Sequence, residues 1–172
     1  DGMATFFASL PGIGRGDVRI AGAFLSTYPA GDLRAEEWYY VGTGARPGNL
    51  YCGKWRSLSQ NLPVIRIAEM YLIRAETNLR LGTTLGDTPE NDLAEVRNPV
   101  RTNLPVIAAP TLANVLAERS LELAFEGFRI HEIKRLQQSF SVYNWNDAKL
   151  VYPIPQREVQ ATEGILVQNP GY

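Results

Sequence analysis

The sequence predicts a mainly α fold in which helical hairpins are joined by long loop-rich segments, with little β structure. Apolar residues recur at helical spacing over residues 63–81 and again after Thr111. The first sixty residues show no such period and are broken by Gly and Pro clusters. With 172 residues, 45% of them apolar and 20% charged, the chain can form a substantial core. The organisation expected is a loop-rich segment over 1–60 and a helical region over 61–172, within one compact unit.

In the first segment, β-like runs at 5–8, 18–25, 37–41 and 50–55 predict one or two short hairpins. Gly12-Ile13-Gly14-Arg15-Gly16 follows no clear strand and precedes no helix. It therefore lacks the context of a phosphate-binding loop and reads as a flexible one.

The first long helix is expected over 63–81, with Asn61 as cap and Pro63 in its first turn. Ile65, Ala68, Leu72, Ala75 and Leu79 form one face, Glu76 and Arg80 can pair four residues apart, and Gly82 is a natural stop. A second helix is expected over 87–101, capped by Asp87 or Thr88, with Pro89 in its first turn and Leu93 and Val96 facing inward. Pro99 limits its length. Pro105 and Pro110 bracket a linker. The third helix is expected over 111–138, with Leu112, Leu116, Leu123 and Ile130 on one face and Leu121, Phe125 and Phe128 widening it. Gly127 interrupts it at a cost of ~1 kcal/mol against Ala, and close approach of another backbone is the expected compensation. Beyond Gln138 come Phe140, Tyr143, Trp145 and Tyr152 in a loop-like tail. Pro153 and Pro155 keep that tail extended along the helices.

The net charge is −1 and no basic run is present, which argues against a nucleic-acid or anionic-membrane surface. Cys52 and His131 are each the single residue of their type, so an intrachain disulfide is impossible and a zinc site is disfavoured. No apolar run reaches the ~20 residues of a membrane-spanning helix. The opening DGMATFFASL lacks the basic flank of a secretion signal.

Glu118, Glu122 and Glu126 are spaced four apart. Glycosidases use paired carboxylates, but these stand on one helix and are expected to pair with arginines: Arg119 with Glu122, Glu126 with Arg129, Glu132 with Arg135. His131 reads as structural. The best binding candidate is the aromatic cluster Trp38, Tyr39, Tyr40, Tyr51 and Trp55. Sugars present flat C–H faces to aromatic rings, and Arg46, Asn49, Lys54 and Arg56 could bond the hydroxyls. The competing reading places these rings in the core.

Three stretches carry a resemblance: ERSLELAFEGFRIHEIKR ending at Arg135, YPIPQRE over 152–158, and the terminal VQNPGY. Together they resemble the C-terminal signature of the SusD/RagB family of outer-membrane nutrient-binding lipoproteins. Glu126, Gly127, Arg129, Lys134 and Arg135 match the family's pattern, whereas Phe128, Ile130, His131 and Glu132 depart from it. LPVIRIAEMYLIRAET, over 62–77, is similar to one of the family's helices, and Asp32-Leu33-Arg34 stands where the family has an Asp-Pro-Arg-like turn. The resemblance implies tetratricopeptide-like hairpins and structural roles for Glu126, Gly127, Arg129 and Arg135. It also implies that the chain is the C-terminal part of a longer protein, lipid-anchored at the outer-membrane surface through an N-terminal segment absent here. The implied function is non-enzymatic capture of oligosaccharides, or peptides in some members, for a SusC-like TonB-dependent outer-membrane transporter, with no cofactor. Two other classes stay open. A helical-repeat interaction module would show an outward apolar patch on the first or second helix and buried aromatics over 38–55. A glycoside hydrolase fragment would use Glu118 or Glu126.

Overall fold

The computed structural model describes residues 2–172, which are mainly helical and form two compact units. One runs to Phe125; the other spans Glu126–Tyr172. The first contains the short helices α1 (Ala4–Phe7), α2 (Gly22–Leu25) and α3 (Leu33–Glu37), then strands β1 (Tyr39–Val41) and β2 (Leu50–Cys52). Helices α4 (Ile67–Leu81), α5 (Pro89–Val96), α6 (Pro99–Thr102) and α7 (Leu112–Glu122) follow. The second unit holds α8 (Phe128–Arg135), a 3-10 turn at Ala148–Leu150, and α9 (Gln156–Ala161).

Of the four β-like runs, two contribute strands, paired antiparallel with Tyr40 opposite Tyr51. Residues 5–8 are instead largely helical, and 18–25 ends in a helix. Short apolar runs carry no period long enough to separate the two states. The glycine-rich run is also firmly packed: Arg15, Gly16 and Asp17 donate backbone hydrogen bonds to the carbonyls of Thr5, Ala8 and Phe6 at 2.8 Å each. A Cβ on Gly14 would come within 2.3 Å of the Ala8 carbonyl oxygen.

α4 starts at Ile67, four residues later than expected, and the side chain of its N-terminal flanking residue, Arg66, makes no capping hydrogen bond. It ends at Gly82 in the left-handed region, as its sequence predicts. Leu72 and Ala75 are fully buried with Leu93, Val96 and Val115, forming the core between α4, α5 and α7. Burial of a leucine of this kind stabilises by about 2 kcal/mol. The predicted Glu76–Arg80 pair forms at 2.8 Å. Asn78 fixes the hairpin loop: its amide donates to the carbonyls of Leu85 and Asp87, and its oxygen accepts from Leu85 N–H and the Thr83 hydroxyl.

Thr88 and Pro89 open α5 as expected, but the predicted helix over 87–101 divides. Asn98 takes an extended ψ of 122° before Pro99, and its side chain caps α6. The expected third helix divides more sharply. α7 opens on a capping box formed by Thr111 and Asn114 and stops at Glu122. Phe125 and Gly127 then take φ values of 64° and 86°. A Cβ on Gly127 would meet no atom within 4 Å, so the need there is its left-handed backbone and not close approach of another chain segment.

In the second unit Glu132 is buried and pairs with Arg129 and Arg135, each at 3.5 Å, while His131 is solvent-exposed. The tail is less extended than its prolines suggest, since α9 begins directly after Pro155. The Gln168 side chain pairs with both backbone groups of Ile154 at 2.8 Å, and the Tyr172 hydroxyl donates to the Val151 carbonyl at 2.9 Å.

Candidate functional site: the aromatic hairpin and its buried arginine

The site is built on Asp32-Leu33-Arg34. Asp32 caps α3 by accepting the Arg34 N–H, and the same carboxylate holds the Arg34 guanidinium through two parallel bonds, Nε at 3.0 Å and Nη2 at 2.8 Å. Arg34 is 1% exposed. Its remaining terminal nitrogen reaches Glu118 Oε1 and Glu122 Oε2 on α7. Arg97 Nη1 donates to Glu118 Oε2 at 3.1 Å, and Arg66 and Arg101 donate to Glu122 at 3.1 and 2.9 Å. Three buried carboxylates therefore face four guanidiniums, with the carboxylates inside and Arg66 and Arg101 toward solvent. Burial alone would raise the Glu122 carboxyl. The hydrogen bond and charge of Arg101, with Arg66 and Arg34, instead hold it below the usual carboxylate range. Arg119 pairs with Glu69 at 3.1 Å, not with Glu122 as its spacing suggested.

The five aromatic candidates separate by depth. Tyr39, Tyr51 and Trp55 are buried, whereas Trp38 and Tyr40 are half-buried. Alternation along β1 accounts for Tyr39 facing inward beside a more open Tyr40. Tyr39 packs edge-on to Phe24, Tyr28 and Phe125, and its hydroxyl lies 2.7 Å from that of Tyr28. Because Tyr28 gives its proton to the Leu121 carbonyl at 3.0 Å, Tyr39 is the donor to Tyr28. Desolvation pushes the Tyr28 phenol up to about 12 and raises Tyr39 further.

Trp55 donates its indole N–H to the Phe125 carbonyl at 3.0 Å, and Lys54 donates to the carbonyls of Glu122 at 2.7 Å and Ala124 at 3.1 Å. With Arg66 on Glu122 O and Tyr28 on Leu121 O, side chains from residues 28–66 satisfy the carbonyls at the end of α7. Lys54 also lies 4.2 Å from the centre of the Trp38 ring, and Arg56 4.3 Å from that of Tyr40. Among the polar neighbours proposed from sequence, Lys54 and Arg56 are thus engaged with the fold, while Arg46 and Asn49 line the turn of the hairpin.

That turn is held from beneath. The Tyr51 hydroxyl donates to the Arg46 carbonyl at 2.9 Å, and Ser9 Oγ accepts the Arg46 N–H at 3.1 Å. A Cβ on Gly42 would lie 2.5 Å from the Tyr51 ring, so the hairpin closes over this side chain only with glycine there. Beside it runs an open groove of about 580 Å³, lined by residues 17–21 and Asn49.

Glu118, one of the two carboxylates a hydrolase reading would use, is 2% exposed and has both oxygens engaged by Arg34 and Arg97. Among the described residues, no group of three or more His, Cys, Asp or Glu is placed to hold a metal ion, and no helix is long and apolar enough to cross a membrane. The sequence flagged Asp32 and Arg34 only as a weak turn match. The hydrophilic spacing of Glu118 and Glu122 was legible, but the arginine they share, Arg34, is 84 and 88 residues away.

Helical hairpins carrying a loop-rich segment, locked together through one buried arginine, define a scaffold class that comparison with known proteins identifies. The chain belongs to the SusD family, whose sequence profile matches residues 34–150. Its fold is that of a surface glycan-binding protein A from Bacteroides fluxus: TM-score 0.77 and 24% identity, over 99% of this chain and 45% of that one. The Bacteroides thetaiotaomicron surface glycan-binding protein A, solved in complex with laminarihexaose, is 23% identical over 97% of this chain and 46% of its own, with TM-score 0.75. A laminarin-binding SusD-like protein matches all of this chain and 42% of its own, at 24% identity and TM-score 0.66. The chain therefore spans less than half the length of these solved relatives. A search of curated protein sequences gave no match.

Proposed function

We propose that this chain is part of a non-enzymatic protein that captures oligosaccharides at the outer-membrane surface and passes them to a TonB-dependent, SusC-like transporter. In this reading the protein is lipid-anchored through a segment outside this chain. The observation that carries it is membership of the SusD family, supported by a fold shared with a relative solved with laminarihexaose bound. Ligand contact within this chain falls to half-exposed groups of the hairpin, Trp38 and Tyr40, and to the groove beside Asn49. Tyr39, Tyr51 and Trp55 act as support beneath them. Glu126, Gly127, Arg129 and Arg135 serve the fold of the second unit. Calorimetric titration with laminarihexaose, other glycans and oligopeptides tests the reading. Saturable heat with a glycan supports it, and binding of peptides alone would move the protein to peptide capture.

A second reading, a helical interaction module without a small ligand, is favoured by one observation. Ile67, Met70 and Ile73 form an exposed apolar strip on α4 while three of the five hairpin aromatics are buried. Absence of heat with every glycan and peptide would favour it.

A further inference from the structure

We propose that the groove formed by residues 17–21 and Asn49 binds the carboxylate of an acidic sugar residue, with Arg19 as the anion-recognising group and Asn49 positioning the ring. This rests on the oligosaccharide-capture reading and assigns it a ligand class. The argument begins with the charges around the groove. Asp17 is already neutralised: Arg15 holds Oδ2 through Nε at 2.8 Å and Nη2 at 2.6 Å, and Arg46 approaches Oδ1 at 3.3 Å. Arg19 differs. Among the described residues its recorded side-chain partner is the neutral Asn49 Oδ1 at 3.5 Å, a long bond, and no carboxylate pairs with it. Arg15, Arg19 and Arg46 against Asp17 leave two positive charges at the groove. A guanidinium exposed beside an amide has the fork geometry that takes a carboxylate through two parallel bonds.

The groove is also pre-formed, so little ordering is left to binding. The Asn49 amide is placed by the Arg46 and Pro47 carbonyls at 3.4 and 3.3 Å. The opposite wall is tied down by Asp17 N–H on Phe6 O at 2.8 Å and by Ile20 N–H on Leu50 O at 2.9 Å. Val18 and Ala21 supply the apolar part of an otherwise polar, open lining, while Ile20 is buried in the core and anchors it from beneath; the groove of about 580 Å³ is open to an extended glycan.

Tetragalacturonate and laminarihexaose, titrated into the wild-type protein and Arg19→Gln, separate the possibilities, with the side-chain amide signal of Asn49 followed by NMR. The expected result is that tetragalacturonate binds, shifts the Asn49 signal and weakens with added salt, with affinity roughly 10–100-fold lower in Arg19→Gln. Laminarihexaose leaves that signal in place. Equal affinity in the variant, or an equal Asn49 shift with the neutral glycan, overturns the assignment. Binding of laminarihexaose alone sinks this inference and leaves oligosaccharide capture standing, whereas no binding of any glycan overturns both. Because Arg19 is solvent-exposed, an unchanged melting temperature in Arg19→Gln confirms that the fold is intact.

Discussion

The indole N–H of Trp55 is bonded to the carbonyl of Phe125, a residue seventy positions later whose backbone is left-handed. A tryptophan whose sequence context suggests sugar stacking thus helps end a helix. Trp55→Ala is expected to cost about 3–5 kcal/mol through the cavity and the orphaned carbonyl. Trp55→Phe, which keeps most of the ring, is expected to cost about 1–2 kcal/mol. Urea denaturation checks both values.

Among the described residues, Arg34 is the cation shared by Asp32, Glu118 and Glu122. Arg34→Met leaves these carboxylates short of a buried partner, with an expected loss of about 3–5 kcal/mol. Equilibrium unfolding of this variant within one unit of stability of wild type would show that the remaining arginines suffice.

Glu122 gives a signed pH dependence. Its carboxyl is held below its ordinary value of 4.5, so its contribution to stability is complete above that value. It is lost as pH falls through the lower folded-state value. Urea midpoints measured from neutral to acid pH should fall below about pH 4.5, and Glu122→Gln should flatten that limb while lowering the neutral plateau.

The phenols of Tyr28 and Tyr39 predict the opposite limb. Both are raised above 10, so the native state keeps their protons where the unfolded chain loses them. Their contribution is present below pH 10 and fades above it. Ultraviolet titration should show two of the eight tyrosines silent until about pH 12 or unfolding, whichever comes first.

Asn78→Ala is expected to cost about 1–3 kcal/mol, because it strips the α4–α5 loop of four hydrogen bonds at a buried position. Thermal unfolding would reveal the loss, and an unchanged midpoint would contradict this role.

The helices were legible where caps and period agreed: Thr88-Pro89, Thr111 and Gly82 mark real ends. The sequence also pointed to the family through its C-terminal stretches. What it concealed shares one physical cause, partners distant in the chain. Nothing near Phe125 announces a left-handed non-glycine residue, because what stabilises the turn arrives from Lys54 and Trp55. Nothing near Trp38 tells which of five adjacent aromatics will be covered, since Phe24, Tyr28 and Leu121 decide it. Arg19 and Asn49, thirty residues apart, meet only because Ile20 is tied to Leu50.

The end of α7 carries a kinetic consequence. Its last carbonyls are satisfied by side chains 56 to 93 residues earlier in the chain. Local helix formation cannot complete that terminus; the loop-rich first third must arrive first, and the entropy of closing such long loops precedes the reward. Folding of the first unit is therefore expected to be slower than its helix content alone predicts, with the irregular segment taking part in the assembly alongside the helices it joins.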